Sequence, residues 1–517
     1  ASYDANGAKT YILDAGDYYL TAAKNAHDAV NNILAAKGKT TADGMDEKGE
    51  ASLVKKFELS FGSDEIDAKT YSVTDDPVKS GYKSEPTNIT NKFDEADINR
   101  YSQKGENSVK YVSRKDWSGT VKFGFNKNYE YLGNHAVITL NAGMEKDLLE
   151  TDAVKIEKDD TPYPTFGSTK TSYTLIDMRY DDEGKELSYS DKKWDDLLDQ
   201  LSWQDYVDLL SCGERMTVAI ASIAKPATID HNGAIGVNQR YNVASGVNRG
   251  FAVTNGDEKM DSSPAAYPCN AIVASTFNAE LIETYGEAWG EDALWAGYSG
   301  LYGPGINMHR GSYGGRSFEY YSEDAFLSGK ICARLCKGIE SKGIYVYLKH
   351  AVLNDQETGR RTIATWANEQ TIRENYLRAF EIAIEEGGAR NVMTGLNKIG
   401  PTFTGMSTLC NEVLREEFGM RGFVVTDYIN NNKAVVMPAS NIAGNDLPDR
   451  DFSKQNVYRG YEPGNGYGNL ANSMRDCVHR ILYTVACYRV FEAYGLGEPL
   501  LWSIVAFIFP LAAYICL

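Results

Sequence analysis

The feature of this sequence that most constrains its fold is an alternation of short apolar strands with helical patterns, which begins near Lys193. It continues over roughly 290 residues, a length that suits a parallel α/β barrel. Repeated strand and helix units favour a parallel sheet covered by helices. We therefore predict an α/β fold with a (β/α)8 TIM-like barrel over residues 191–486. A doubly wound sheet is the alternative, but no glycine fingerprint for a nucleotide follows these strands.

The residues before the predicted barrel have a different composition. Residues 37–190 are rich in Asp, Lys, Ser, Thr and Tyr, and they contain short alternating runs at 108–112 and 136–140. This pattern predicts an irregular β-rich region. Residues 1–36 carry strand-like Tyr and Ile residues followed by an amphipathic helix. Because the first residue is Ala and no secretory leader follows it, we expect this chain to be the later part of a longer one.

The C-terminal end is strongly apolar. Residues 500–517 contain no charged side chain. A helix of this length spans about 27 Å, close to the bilayer hydrocarbon thickness of about 30 Å. We predict a hydrophobic transmembrane helix over 498–517 and therefore a membrane partner, with a buried terminal core helix as the alternative.

Charge and cysteine usage exclude several classes of function. The chain has 53 Lys and Arg against 71 Asp and Glu, a formal net charge of −18. Such an acidic chain is a poor partner for nucleic acid or for an anionic membrane surface. Its eight cysteines form no C-x-x-C pair and no histidine lies at metal-ligand spacing, so we predict no metal site, no cofactor and no disulfide framework. The oligomeric state is left open.

Three polar clusters follow three predicted strands. They contain Arg316, the dipeptide Lys349-His350, and Asp427. The C-terminal ends of parallel barrel strands share one rim, so these side chains are expected to converge. Lys and Arg only donate hydrogen bonds and His offers one donor and one acceptor, which suits a ligand covered in hydroxyls. The cations also favour an ionised Asp427, as a nucleophile requires. A strand-end Asp that only caps the next helix is the alternative.

The segment from about Trp194 to Tyr483 resembles the catalytic barrel of glycoside hydrolase family 3, the family of β-glucosidases and β-xylosidases. The matching motifs are GGRSFEYYSED at 314–324, Lys-His at 349–350 with NDQET at 354–358, Val-Met at 392–393, and VTDY at 425–428. The resemblance implies a retaining β-glycosidase, β-glucosidase-like, that hydrolyses terminal non-reducing β-D-glycosyl residues of an oligosaccharide or β-glucoside substrate.

The resemblance also implies roles for individual residues. Asp427 matches the nucleophile that forms a covalent glycosyl-enzyme. The other matched residues are implied to bind substrate: Arg316, Lys349 and His350 at sugar hydroxyls, Met393 along the subsite, Tyr428 in place of the usual Trp beside the nucleophile, and Asn232 where the family has an Asp.

The second carboxyl of the retaining mechanism has no counterpart in this sequence. The mechanism needs two carboxyl groups about 5–5.5 Å apart. In β-glucosidase-type members the acid/base comes from an α/β sandwich domain, which no segment here resembles. Residues 1–36 resemble the tail of the fibronectin type III-like domain of members with permuted domain order, some of which carry a membrane segment after the barrel. We therefore expect a membrane-anchored enzyme with an extracytoplasmic catalytic domain and an acid/base upstream of this chain.

Two departures from the family pattern support an alternative function. Asn232 replaces a carboxylate, and Leu396 stands near where many members have an aromatic residue. An amide loses the charge-assisted strength of a carboxylate acceptor. The alternative is a catalytically degenerate, membrane-anchored carbohydrate-binding protein.

Overall fold

The computed structural model describes most of the chain, in two compact units. The first unit is Ala1–Lys79 with Glu85–Asn91, and the second is Ser80–Ser84 with Lys92–Leu517. The described residues are 2–6, 9–12, 16–43, 45, 47–59, 89–102, 108–112, 139–152, 154–237, 267–295, 297–311, 314–361, 363–429 and 435–493.

The described residues of the first unit form two small antiparallel ladders, one α-helix and short 3-10 turns. Strand β1 pairs with β2 and β3 pairs with β4. The elements are β1 (Ser2–Tyr3), β2 (Tyr11–Ile12), β3 (Gly16–Thr21), α1 (Ala26–Ala36) and β4 (Val54–Leu59). Asn25 caps α1, because its side chain accepts a 2.8 Å hydrogen bond from the Asp28 N–H. The strands and helix predicted for residues 1–36 are therefore present, whereas their fibronectin-like assignment stays a prediction.

The described part of 92–190 is mostly loop and short 3-10 turns, with one helix, α2 (Ala142–Asp152). The alternating run 108–112, part of the predicted irregular β-rich region, pairs with no strand among the described residues. Instead the Asn99 side chain accepts from the Val109 N–H at 2.7 Å and donates to the Val109 carbonyl at 2.9 Å. A side-chain amide thus satisfies backbone groups that a sheet partner would otherwise bind. The run 136–140 lies mostly outside the described residues.

The second unit is built on a six-stranded sheet with the order β13-β10-β8-β7-β6-β5. All neighbours in it are parallel except β5, which is antiparallel to β6. A small second sheet has the order β12-β11-β9. The strands are β5 (Met216–Thr217), β6 (Thr228–Asn232), β7 (Gly300–Tyr302), β8 (Tyr345–Ala351), β9 (Ala364–Thr365), β10 (Asn391–Thr394), β11 (Lys398–Ile399), β12 (Thr402–Phe403) and β13 (Val424–Thr426).

Backbone hydrogen bonds connect the two edges of the six-stranded sheet through one segment, 445–452. On one side Val425 of β13 bridges Leu447, and on the other Asp451 bridges Cys212, just before β5. The sheet therefore curls back on itself, which is consistent with a TIM-like barrel. The predicted α/β class is confirmed, and six strands of this sheet lie among the described residues.

Helices cover the sheet. They are α3 (Lys193–Gln200), α4 (Trp203–Ser211), α5 (Asn270–Ala274), α6 (Ala279–Trp295), α7 (Ala325–Glu340), α8 (Glu369–Thr371), α9 (Arg378–Glu385), α10 (Met437–Ala443), α11 (Gly468–Cys487) and α12 (Val490–Ala493), with π-helical turns at Ile372–Leu377 and Leu409–Glu417. The pattern at 194–210 predicts one helix, but two form. Ser202 caps α4 in a capping box with Asp205, which ends the preceding helix.

The strands of the sheet are buried on both faces. In β8, Val346 and Leu348 pack in the cluster formed with α6, α7 and α9, whereas Tyr345 and Tyr347 belong to a second cluster on the inner face. Side chains alternate between faces with a period of two, so each face receives every second residue. Burial on both faces explains why these strands read as continuous apolar runs.

In the described part of the chain, every helix is too short or too polar to cross a membrane. The helix predicted over 498–517 lies outside the described residues.

Candidate active site

The strand ends of the sheet bring the predicted site residues to one rim. Asp427 directly follows β13 and shares the inner face with Val425, two residues earlier. Lys349, in β8, shares that face with Tyr347. Lys349 is in register with Met393 of β10, which is in register with Val425. Because these strands are parallel, their C-terminal ends place Lys349 and Asp427 near each other.

A hydrogen-bonded cluster connects three of the predicted residues. The Arg316 guanidinium donates to both carboxylate oxygens of Glu319, at 2.7 and 2.6 Å, and a third nitrogen lies 2.9 Å from His350 Nε2. The Lys349 ammonium lies 3.5 Å from Glu319 Oε2. The Glu319 carboxylate therefore forms ion pairs with both Arg316 and Lys349.

The geometry fixes the protonation state of His350. Burial lowers the pKa of His350 well below its usual value, and the charges of Arg316, Lys349 and Arg360 lower it further. The ring is therefore neutral. Arg316 only donates, so Nε2 is the acceptor and Nδ1 carries the proton, which faces the Tyr320 hydroxyl at 3.5 Å.

The carboxylate of Asp427 presents one bound and one unbound oxygen. Oδ1 accepts a 2.7 Å hydrogen bond from the Tyr428 N–H. Oδ2 is buried and accepts no hydrogen bond from the described residues. It lies 3.6 Å from His350 Nε2 and 3.6 Å from an Arg360 nitrogen. Since Nε2 carries no proton, Oδ2 keeps its lone pairs for another partner.

The cluster maintains its charges despite its burial. Burial alone raises the pKa of Glu319, but the hydrogen bonds of Arg316 and the charge of Lys349 bring it below its usual value. Burial lowers the pKa of Lys349 and the charge of Glu319 opposes that effect. For Arg316, the hydrogen bonds to Glu319 outweigh burial and raise the pKa. The cluster thus presents cationic donors to whatever occupies the rim.

The other predicted site residues lie on or near the same rim. Met393 is buried in the inner-face cluster. Asn232 ends β6 in register with Tyr302 of β7, and β7 separates it from β8. Tyr428 contacts Asp427 through its backbone, and its side chain is 41% exposed. The structure therefore joins Arg316, His350 and Asp427 by direct contacts and connects Lys349 to Arg316 through Glu319, and it places the remaining three on or near the same rim.

One residue beside Asp427 was not anticipated from the sequence. Arg360 lies on the loop between β8 and β9 and also contacts Glu357 Oε2, at 3.4 Å. The signal was present in the sequence, because Glu357 of the motif at 354–358 stands three residues before Arg360.

A surface cleft opens beside Arg316, between residues of 308–311 and 314–320 on one side and 354–357 on the other. Its lining includes carboxyl, amide, hydroxyl and guanidinium groups: Arg310, Arg316, Ser317, Tyr320, Asn354, Asp355, Gln356 and Glu357. Within the described ranges, no group of three or more His, Cys, Asp or Glu side chains could hold a metal ion. The groups that line the cleft can donate and accept hydrogen bonds.

Most of the residues at this rim lie in a segment that matches a known protein domain. Residues 252–445 match the model of the glycosyl hydrolase family 3 N terminal domain. This match contains the motifs at 314–324, 349–358, 392–393 and 425–428.

Similar proteins are glycosidases. A beta-glucosidase of Rhizobium radiobacter is 33% identical over 240 residues, which is 46% of this chain and 28% of that protein. An exo-alpha-(1->6)-L-arabinopyranosidase of Bifidobacterium longum is 34% identical over 186 residues, 35% of this chain and 25% of that protein. The chain thus matches less than a third of the length of these relatives.

The fold comparison agrees. The structure of beta-glucosidase 3B from Thermotoga neapolitana in complex with alpha-D-glucose aligns with a TM-score of 0.50 and 29% identity. The alignment covers 59% of this chain and 44% of that structure.

Proposed function

This chain belongs to glycoside hydrolase family 3, and from that premise we propose that it carries the catalytic barrel of a retaining β-glycosidase. The observation that carries the proposal is the arrangement of the Asp427 carboxylate. Its Oδ2 is buried, accepts no hydrogen bond from the described residues and lies beside His350, whose ring accepts a hydrogen bond from Arg316. A carboxylate with one oxygen anchored and the other available has the form that a positioned nucleophile needs.

The proposed first step takes place at Oδ2 of Asp427. This oxygen attacks the anomeric carbon, the bond from that carbon to the leaving-group oxygen breaks, and a glycosyl-enzyme ester results. Arg316 and Lys349 donate hydrogen bonds to sugar hydroxyls, and these bonds strengthen as the ring approaches an oxocarbenium-like shape. Water then hydrolyses the ester and restores the carboxylate.

The acid/base of this mechanism is proposed to come from outside the chain. A general acid must be protonated at working pH, so its pKa is raised. Glu319 is a carboxyl close to Arg316 and Lys349, but those cations lower its pKa. It is therefore unsuited to donate a proton to the leaving group.

β-Glucosides are the proposed substrates. The support is the beta-glucosidase names of relatives at 33–38% identity and the glucose complex of the structural neighbour. We further propose a membrane-anchored enzyme with an extracytoplasmic barrel. Its support is the uncharged stretch at 500–517.

The test uses the 517-residue chain and 2,4-dinitrophenyl β-D-glucopyranoside, whose leaving group needs no protonation. Asp427→Asn is expected to lower kcat/KM at least roughly a thousand-fold, because it removes the nucleophile. Asp182→Asn, an exposed Asp to Asn change in a turn, is the matched control and keeps wild-type turnover. Equal turnover by wild type and Asp427→Asn would reject the proposal.

Carbohydrate binding without turnover is the second candidate, favoured by Asn232 and Leu396. Leu396 has no aromatic ring that could stack on a sugar, and it is buried in a cluster with Phe403 and Ile429. Calorimetry with glucose and cellobiose distinguishes the two candidates. Binding by the chain, combined with no turnover of the dinitrophenyl glucoside, supports the binding protein.

A further inference from the structure

A buried side-chain amide binds the backbone of His350. Asn307 Nδ2 donates a 2.8 Å hydrogen bond to the His350 carbonyl, and Asn307 Oδ1 accepts a 2.6 Å hydrogen bond from the His350 N–H. Asn307 lies on the segment that follows β7 and is 3% exposed. One amide therefore binds both polar backbone groups of a single residue, as a neighbouring strand would.

This contact lies where the register of the sheet shifts. Met393 of β10 pairs with Lys349, whereas the next residue, Thr394, pairs with Ala351. His350 is therefore an extra residue in β8 relative to β10. An extra residue of this kind bends its strand locally and re-aims a side chain, and such irregularities are common beside active sites. The direction of the His350 side chain thus depends on what holds its backbone.

The backbone of Lys349 has contacts of its own. Its N–H donates to the Pro304 carbonyl at 3.1 Å, and its carbonyl accepts from the Ile306 N–H at 2.8 Å. These bonds extend the pairing between β8 and the segment after β7. Asn307 is the next residue of that segment, and its side chain binds the next residue of β8. Removing the amide should therefore disturb His350 while the backbone bonds of Lys349 remain.

The imidazole on this backbone stands between two other residues of the candidate site. Its Nε2 accepts from Arg316 at 2.9 Å and lies 3.6 Å from Asp427 Oδ2. A shift of the His350 backbone would move the ring relative to both groups. Misplacing a group of an active site by about 1 Å can lower the rate roughly a hundred-fold.

We propose that Asn307 is a positioning residue, which fixes the backbone of His350 at the register shift and thereby aims the imidazole at Arg316 and Asp427. The inference rests on the proposed function, because it concerns the same site. Asn307 contacts the backbone of His350, so its effect on the reaction should pass through that histidine. This dependence is what the experiment measures.

The test is a double-mutant cycle on the 517-residue chain, with 2,4-dinitrophenyl β-D-glucopyranoside as substrate. We measure kcat/KM for wild type, Asn307→Ala, His350→Ala and the double variant, and subtract the background of Asp427→Asn. Such a cycle isolates the coupling between two residues. Circular dichroism and urea unfolding establish that each variant is folded. Asn307→Ser, which keeps a hydroxyl at this position, takes the place of Asn307→Ala if the alanine variant does not fold.

The loss of activity is expected to depend on the presence of His350. Asn307→Ala should lower kcat/KM at least about ten-fold in the wild-type background and less than about two-fold in the His350→Ala background. Asn391→Ala is the matched control. The buried Asn391 amide donates to the Val346 carbonyl at 3.4 Å and accepts from the Phe423 N–H at 3.0 Å, at the N-terminal ends of the same strands. This variant should be less stable and keep kcat/KM within about two-fold of wild type.

A spectroscopic measurement reports the ring without turnover. Heteronuclear NMR of the chain with isotope-labelled histidine shows which ring nitrogen carries the proton, and His350→Ala identifies the signals of His350. The wild-type ring should show one form, with the proton on Nδ1 and Nε2 accepting from Arg316. Asn307→Ala should convert these signals to those of a mixture of tautomers, whereas Asn391→Ala should leave them in place.

The outcomes separate the two proposals. Equal losses of kcat/KM from Asn307→Ala in both backgrounds, or unchanged His350 signals in the folded variant, overturn the role of Asn307 and leave the proposed function standing. Similar losses of kcat/KM in Asn307→Ala and Asn391→Ala also overturn it, because a general structural defect has that form. A wild-type chain whose turnover equals that of Asp427→Asn refutes the proposed nucleophile, and the inference with it.

Discussion

The carboxylate of Glu319 binds the guanidinium of Arg316 through two hydrogen bonds, of 2.7 and 2.6 Å, inside the rim of the sheet. The same carboxylate lies 3.5 Å from the ammonium of Lys349. All three side chains are largely buried. One anion therefore compensates two buried cations, and the donors that face the proposed sugar site depend on it.

Glu319→Gln is expected to destabilise the protein. The amide keeps the approximate shape but leaves two buried cations without a counter-charge, which costs about 3–5 kcal/mol of unfolding free energy. Urea unfolding measures the loss. Glu283→Gln, which breaks an exposed ion pair with Arg334, is the control and should cost at most about 1 kcal/mol. Similar losses in both variants would show that Glu319 does not carry the charge balance.

Arg316→Lys is expected to lower activity while retaining the charge. A lysine cannot donate two parallel hydrogen bonds to Glu319 and a third to His350. Imidazole orientation and hydroxyl binding are both impaired, so kcat/KM on an aryl β-glucoside should fall at least about ten-fold, or about 1.4 kcal/mol. Arg334→Lys, in an exposed pair, should leave kcat/KM unchanged. An Arg316→Lys variant with wild-type kcat/KM would show that the guanidinium hydrogen bonds to Glu319 and His350 are not needed for activity.

Much of the fold was readable from the sequence because it depends on local patterns. Strands β8 and β13 place apolar side chains on both of their buried faces, so their sequences contain continuous apolar runs that predict buried strands. The apolar pattern over 194–210 continues through Leu201, so it does not reveal that one helix ends before Ser202 and another begins after it. The capping box of Ser202 and Asp205 starts the second helix there, and hydrophobic periodicity does not take capping into account.

The candidate site was predictable in part for a similar reason. Asp427, Lys349 and His350 stand at strand ends, and parallel register brings strand ends together. Arg360 was not predicted because it lies on the loop after β8, whereas Asp427 follows β13, and β10 lies between these two strands in the sheet. Sequence spacing alone does not indicate a contact between a loop residue and a strand end that are so far apart in the chain. The neutral state of His350 likewise depends on which side chains surround it.

The buried Asp230 makes the stability of the protein pH-dependent. Its carboxylate accepts hydrogen bonds from Tyr345 at 2.6 Å and Tyr347 at 2.5 Å, and Lys225 is the charged group near it. Burial raises the pKa of Asp230 to about 6. Between its unfolded value near 3.8 and that value, the folded state binds more protons, so this group lowers stability as pH rises through this window.

Asp230→Asn is expected to remove that decline. The variant should gain stability relative to wild type between about pH 4 and pH 6, by up to about 3 kcal/mol. Urea unfolding at several pH values gives the profile, with exposed Asp182→Asn as the control. Parallel profiles for Asp230→Asn and wild type would show that the carboxyl has an ordinary pKa.

Gly300→Ala is expected to destabilise the sheet. A Cβ at Gly300 would lie 2.1 Å from the Tyr345 ring and 2.7 Å from Asp230 Oδ1. Both neighbours are fixed by their hydrogen bond, so overpacking should cost about 1–3 kcal/mol of unfolding free energy. Gly311→Ala is the control, because no atom lies within 4 Å of its Cβ position. Unfolding midpoints that match in the two variants would contradict the packing on the inner face.

The dependence of rate on the leaving group tests whether the chain carries its own general acid. Glu319 is held ionised, so a poor leaving group receives no proton from it. We expect kcat/KM to fall steeply as the leaving-group pKa rises, from dinitrophenyl through nitrophenyl to methyl β-glucoside, with the last nearly inert. Steady-state rates across the series give the slope, and Asp427→Asn defines the background for each substrate. A slope near zero would show that an acid acts within these 517 residues.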